Sequence, residues 1–92
     1  MGTLRGIAYT KSALDGLTKV EPKKIRQQVK ARIEALAANP KPPGCAKVLG
    51  ALVDGLNEVY RVRQGDYRIV YRIDGETEIV VLDIGHRKDV YR

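Results

Sequence analysis

The second half of the chain alternates apolar and polar side chains between turn-forming residues, and this pattern limits the fold most strongly. Between Tyr67 and Ile73, tyrosine and isoleucine occupy every second position and alternate with Arg68, Val70 and Arg72. Such alternation predicts a β-strand, because successive side chains of a strand point to opposite faces. A Gln-Gly-Asp triplet precedes this segment and an Asp-Gly pair follows it, and both favour hairpin turns. We therefore predict an antiparallel meander with strands over 57–63, 67–73 and 77–84.

The first half of the chain contains the spacing of an amphipathic helix. Ile25, Val29, Ile33 and Leu36 follow one another at intervals of four, four and three residues, which places them on one helix face. A Glu-Pro pair precedes the segment, and proline is favoured in the first helical turn. An Asn-Pro pair follows it, and the residue before a proline disfavours helix. The helix is therefore expected to end near Asn39.

Shorter elements complete the predicted architecture. The segment 4–9 is predicted to be a strand, and Thr10 is predicted to cap a short helix over 11–19. The segment 41–54 is rich in proline and glycine and is predicted to be a loop. We predict an α+β fold: an N-terminal strand, a helical hairpin and a three-strand antiparallel meander, with the helices on one face of the sheet.

Alternation along the predicted strands separates their side chains onto two sheet faces. The apolar face, suited to receive the helices, carries Tyr60, Val62, Tyr67, Ile69, Tyr71 and Ile73. The opposite face brings four arginines together near valines, and these residues are Arg61, Arg63, Arg68 and Arg72 with Val59, Val70 and Val81. A cation among valines is costly to bury without a partner, so this face is the candidate functional surface.

Composition excludes several classes of protein. The 92 residues suffice for one domain, predicted to span 1–92. A single cysteine and a single histidine exclude an internal disulfide and leave no zinc ligand set, so no metal and no cofactor are expected. Residues 1–11 lack the apolar segment of a secretory signal, and no stretch is long enough to span a membrane. We expect a reduced, cytoplasmic protein with no membrane partner.

The charge balance indicates a polyanionic partner. The formal net charge is +6, and six of the nine arginines lie within 57–92. Arginine suits bidentate contact with phosphate better than lysine does. Fixed guanidinium groups would also stabilise the phosphorane formed when an RNA 2′-hydroxyl attacks the adjacent phosphate. A surface for nucleic acid or phosphate is therefore predicted, and an RNA-cleaving enzyme is compatible with it.

Two segments resemble one known family. The sequences Tyr-Arg-Val-Arg-Gln-Gly-Asp-Tyr-Arg-Ile-Val-Tyr over 60–71 and Ile-Gly-His-Arg-Lys-Asp-Val-Tyr-Arg over 84–92 are similar to the RelE/ParE superfamily of toxins, on the RelE side. The resemblance implies the toxin of a type II toxin–antitoxin system that cleaves messenger RNA in the ribosomal A site without a metal. The implied partners are a RelB-like antitoxin, the ribosome with its RNA, and mRNA. Operator DNA would be contacted only through the antitoxin complex.

The resemblance also implies roles for individual residues. Arg61 and Arg63 stand where two catalytic basic residues, usually lysines, occur in the family. Arg68 stands at the arginine that holds the scissile phosphate, Arg87 at the arginine that assists the leaving group, and Tyr91 at the tyrosine that orients or stacks on the substrate base.

Arginine in place of lysine leaves the proton acceptor unassigned. A guanidinium group does not lose its proton at working pH, so Arg63 cannot act as a base. His86, next to Arg87, is the candidate for proton transfer, because histidine exchanges protons near neutral pH.

Alternatives remain open at this stage. The chain could instead be a ParE-like poison of DNA gyrase, or an inactive member that only binds its antitoxin. Arg61 and Arg63 could pair with Asp83 or Glu78, Arg87 could position an acidic antitoxin segment, and His86 and Tyr91 could be structural. The basic face of the second helix is expected to be solvated, with contact to ribosomal RNA as the alternative; its residues are Lys23, Lys24, Arg26, Lys30 and Arg32.

Overall fold

Two helices cover one face of a five-stranded mixed sheet in the computed structural model, which describes residues 6–47, 59–75 and 78–86. In chain order the elements are β1 (Gly6–Tyr9), α1 (Lys11–Thr18), α2 (Lys23–Ala35), β2 (Ala46–Lys47), β3 (Val59–Gln64), β4 (Tyr67–Asp74) and β5 (Glu78–His86). The strand order is β1-β5-β4-β3-β2, with β1 parallel to β5 and all other pairs antiparallel. The predicted α+β fold, with its helical hairpin and its meander, is confirmed.

The core lies between the helices and the sheet, as the two apolar patterns predict. From α2 and the turn after it, Val29, Ile33 and Leu36 are fully buried. They pack with the apolar face of β3, β4 and β5, which contributes Tyr60, Val62, Ile69, Tyr71, Ile79, Val81 and Ile84. Tyr60 and Tyr71 stack with their ring centroids 6.0 Å apart, which makes them core residues rather than an exposed platform for bases.

Tyr71 also ties the sheet to the segment after α2. Its hydroxyl donates a hydrogen bond of 2.6 Å to the carbonyl oxygen of Pro40. Burial, and then the neighbouring Cys45, raise the pKa of Tyr71 above its usual value of 10.0. The hydroxyl therefore stays protonated and keeps donating to Pro40 at neutral pH.

Two boundaries differ from the sequence prediction. The helix α2 ends at Ala35 rather than near Asn39, and the following turn has short-range bonds from the Leu36 and Ala37 amides to the Ile33 and Glu34 carbonyls. The predicted loop over 41–54 contains β2, which pairs with β3. Two residues are too few to show an alternating pattern, so the sequence does not predict this strand. It forms because it pairs with the edge of β3. The rest of that loop lies outside the described residues.

A β-bulge interrupts the pairing of β4 with β5. Val70 pairs with Asp83, but Tyr71 pairs with Val81, which leaves Leu82 as an extra residue on β5. The Thr10 hydroxyl donates a hydrogen bond of 2.8 Å to the Leu82 carbonyl oxygen. It also accepts a hydrogen bond of 3.1 Å from the Ala13 amide. One side chain therefore caps α1, as predicted, and supports the irregular part of β5.

The bulge corrects one expected placement. Val81 was expected beside the arginines, but it lies opposite Tyr71 and is fully buried in the core. Val80 instead lies on the face that carries the arginines, where it pairs with Arg72. An extra residue reverses the alternation of side chains along a strand, and no feature of the sequence indicates where it lies.

The helix α1 lies directly on β5. A Cβ atom built on Gly16 would overlap the carbonyl oxygen of Ile84. Only glycine allows the two backbones to approach this closely. Neither helix in the described part of the chain is long and apolar enough to cross a lipid bilayer.

Candidate functional site

Four arginines lie on the sheet face opposite the helices, and we term this surface the arginine face. Across β3 and β4 the register pairs Arg63 with Arg68, Arg61 with Val70, and Val59 with Arg72. Paired residues of neighbouring strands share a face. The structure therefore brings together Arg61, Arg63 and Arg68, three of the predicted site residues.

Access to the arginine face changes along the strands. Arg63 is exposed, and Arg61 and Arg68 are half-buried. At the other end Val59 is only 2% exposed and Val80 only 8%, although both lie on this face. The accessible part is therefore the end beside the turn between β3 and β4.

Arg72 lies at the less accessible end of the arginine face. It lies in one row between Val59 and Val80, and its side chain is 20% exposed. Its Nη2 atom is 3.9 Å from Oδ2 of Asp74, a long and partly solvated ion pair that contributes little free energy. We therefore assign Arg72 to packing and to this ion pair rather than to the site.

His86 lies on the other side of the sheet. It pairs with Tyr67, which packs against the core, and their rings meet edge to face with centroids 5.5 Å apart. The structure does not bring His86 to the arginine face, although it lies at the same end of the sheet. The bulge is the physical reason, because a regular hairpin register would have placed His86 on the face of Arg68.

Asp83 lies on the arginine face. A regular register would instead have placed it on the core face. It pairs with Val70, which itself pairs with Arg61 on the far side. Glu78 pairs with Asp74 at the distant end of the strands, so it does not oppose Arg61 or Arg63. From the sequence, Asp83 was expected only as an ion-pair partner of Arg61 or Arg63. The bulge, which no sequence pattern indicates, puts Asp83 instead of His86 on this face.

Arg87 and Tyr91 lie outside the described residues, so their expected roles stay predictions. The described part contains no group of three or more side chains that would hold a metal ion.

A second basic surface lies on the helices, on the other side of the sheet. A depression of about 360 Å³ between α1 and α2 is lined by Leu17, Thr18, Lys23, Arg26, Gln27 and Lys30. Lys23, Lys24 and Lys30 are exposed, whereas Arg26 is half-buried and its Nη1 donates to the Val20 carbonyl oxygen at 3.4 Å. The exposed lysines are compatible with both the expected solvated face and its alternative, contact with ribosomal RNA, whereas Arg26 has a structural contact and Arg32 is half-buried.

Comparison with known proteins places this chain in one family. The family model for the "ParE toxin of type II toxin-antitoxin system, parDE" matches residues 7–91. Toxin RelG from Mycobacterium tuberculosis is 33% identical over 87 residues, which cover 94% of each chain.

Solved structures support the same assignment. A chain of the RelBE2 toxin–antitoxin complex from Mycobacterium tuberculosis matches with a TM-score of 0.74 and 26% identity, covering 92% of this chain and 100% of that one. A chain of the RelB–RelE antitoxin–toxin complex from Methanococcus jannaschii matches with a TM-score of 0.67 and 30% identity, covering 91% and 94%. A chain of the archaeal RelE–RelB complex from Pyrococcus horikoshii shares the fold, with a TM-score of 0.75 and 23% identity over 95% and 99%. The chain therefore belongs to the RelE/ParE superfamily of toxins of type II toxin–antitoxin systems.

Proposed function

We propose that this toxin is an endoribonuclease that inhibits translation by cleaving mRNA in the ribosomal A site. The observation that carries the proposal is the cluster of Arg61, Arg63 and Arg68 at the accessible end of the arginine face. Three cations on adjacent strand positions form a preorganised site for phosphate, and their planar groups match its oxygens in pairs.

The proposed reaction is attack by an RNA 2′-hydroxyl on the neighbouring phosphate. Negative charge develops on the phosphorus-bound oxygens in the transition state, and Arg68, with Arg63 beside it, is proposed to stabilise that charge. Arg61 adds a third cation one row away on the same face. The products are a 2′,3′-cyclic phosphate and a 5′-hydroxyl. Arg87 is proposed to assist the leaving group, and Tyr91 to orient the base.

The ribosome is proposed to supply alignment of the message. Guanidinium groups stabilise charge but do not position the 2′-hydroxyl in line with the scissile bond. Holding an intramolecular attack in line is worth up to about 7–11 kcal/mol. Free RNA is therefore expected to be a poor substrate.

The proposed protein partner is a RelB-like antitoxin. RelE–RelB complexes from Methanococcus jannaschii and Pyrococcus horikoshii are among the structures that this chain resembles. A net charge of +6 favours rapid capture by an acidic segment. Operator DNA is proposed to be contacted only through that complex.

Pulse labelling after induction of the toxin alone tests the proposed function against poisoning of DNA gyrase. We expect amino-acid incorporation to stop within minutes while thymidine incorporation continues at first. The Arg68→Ala variant, produced at the same level, is expected to leave both processes running. Stalled DNA synthesis with continued protein synthesis would instead support the ParE-like activity. Arrest by the wild type and Arg68→Ala alike would support action by binding alone.

A further inference from the structure

We propose that Asp83 is the general base that accepts the proton of the attacking 2′-hydroxyl. This inference rests on the proposed function. The three clustered arginines cannot accept a proton at working pH, so the reaction needs another group on the arginine face. His86 lies on the opposite face against Tyr67. Within the described residues, Asp83 is the titratable acceptor that a strand places on this face near the accessible arginines, whereas Asp66 lies in the exposed turn between β3 and β4.

The register defines the position of Asp83. It lies directly opposite Val70 on β5, so Arg68 on β4 is its diagonal neighbour, at about 7–8 Å between backbones, and Arg72 lies on the other side of the bulge. In the proposal, the scissile phosphate binds between the Arg68 guanidinium and the carboxylate. Arg61 lies in the same row, beyond Val70. Asp83 is half-buried, so part of its surface is exposed.

A backbone hydrogen bond orients the carboxylate. The Ile84 amide donates to Oδ1 of Asp83 at 3.0 Å. This bond restrains one oxygen against the strand and leaves Oδ2 to accept a proton. The bulge at Leu82 and the Thr10 hydroxyl that supports it turn this side chain toward the arginines.

The charged groups that face Asp83 in the described residues are cations. They are Arg68 and Arg72 from β4, and Arg61 from β3 beyond them. The strand β1 contributes only Gly6 and Ala8 to this face, and Asp74 and Glu78 pair at its distant end. The surrounding positive charge offsets the repulsion between the carboxylate and an incoming phosphate.

In the proposed step, Oδ2 of Asp83 takes the proton from the 2′-hydroxyl, and the freed oxygen pair forms a bond to phosphorus. The bond from phosphorus to the 5′-oxygen breaks, and that oxygen takes a proton from solvent water. Asp83 then returns its proton to solvent. Arg68 interacts with the phosphate oxygens throughout and exchanges no proton.

The test is single-turnover cleavage of ribosome-bound mRNA by the purified full-length toxin across a range of pH. The Asp83→Asn variant keeps an oxygen that can accept from the Ile84 amide but loses the base. We expect its rate to fall by about 10²–10⁴-fold and to lose the acidic limb of the wild-type pH profile. Asp83→Glu retains a carboxylate and is expected to recover part of the rate together with that limb. Asp15→Asn, the same substitution on exposed α1, is the matched control and should keep wild-type rate and profile.

Each outcome decides a different point. If Asp83→Asn cleaves at the wild-type rate, Asp83 is not the base, while the proposed function stands. A slower Asp83→Asn variant with an unchanged pH profile also overturns the assignment, because such a loss reflects charge or positioning alone. A wild-type toxin that does not cleave ribosome-bound mRNA at any pH overturns the proposed function and this inference together. Thermal unfolding of each variant confirms that its rate belongs to the folded protein.

Discussion

Replacing Arg68 by alanine is expected to slow single-turnover cleavage of ribosome-bound mRNA by about 10²–10³-fold, the loss typical of one preorganised donor to a developing oxyanion. Arg68 pairs with Arg63 across β3 and β4, and its Nε atom is buried, so the side chain is held by the surrounding sheet. A fixed guanidinium needs little reorganisation when charge develops on the phosphate. Among alanine variants of the described arginines, we expect this one to lose the most activity.

Arg68→Lys separates charge from geometry. Lysine keeps the positive charge but replaces a planar pair of donors with a point charge, so we expect recovery of only part of the lost rate. Lys24→Ala removes one unit of charge from the exposed face of α2 and is the control for the change in net charge. Its rate under saturating toxin should match the wild type. A wild-type rate for Arg68→Ala would remove the arginine face as the active site.

Replacing Gly16 by alanine is expected to destabilise the fold by about 1–3 kcal/mol, the range found for overpacked sites. Helix propensity alone predicts the opposite sign, since alanine favours a helix interior by about 1 kcal/mol over glycine. The structure decides between them, because the added Cβ would overlap the backbone carbonyl oxygen of Ile84. Backbone cannot move aside as a flexible side chain does, so α1 would have to shift away from β5.

Denaturant unfolding of the variant measures this effect. Ser12→Ala, at an exposed position of the same helix, is the control for propensity, and it should be neutral or slightly stabilising. A Gly16→Ala variant as stable as the wild type would show that α1 and β5 are farther apart than described. Ile84 is next to Asp83 on β5, so a shift of the Ile84 backbone would displace the Asp83 side chain. We therefore also expect the variant to lose activity.

Sequence periodicity was sufficient for the elements that have a full pattern. The stripe from Ile25 to Leu36 predicted α2 and its buried face, and the alternation over 67–73 predicted β4 with its arginines on the far side of the core. These patterns report which residues avoid water, and burial determines both elements. The two-residue strand β2 has no such pattern, since it depends on pairing with β3.

The site could be predicted only in part for a similar reason. Arg61, Arg63 and Arg68 share a face because β3 and β4 pair without interruption. On β5 the face of each side chain depends on the extra residue Leu82. One bulge moves His86 away from the arginines and Asp83 toward them, and a local reading of the sequence cannot locate it.

We expect this toxin to cleave mRNA through its arginine face when the ribosome aligns the message. To test this, purified toxin is incubated with ribosomes that carry a defined mRNA, and the ends of the cleavage products are determined. We expect cuts within the A-site codon that leave a 2′,3′-cyclic phosphate and a 5′-hydroxyl, with naked mRNA cut far more slowly. Intact mRNA in the programmed ribosomes, or products with a 3′-hydroxyl and a 5′-phosphate, would contradict the claim.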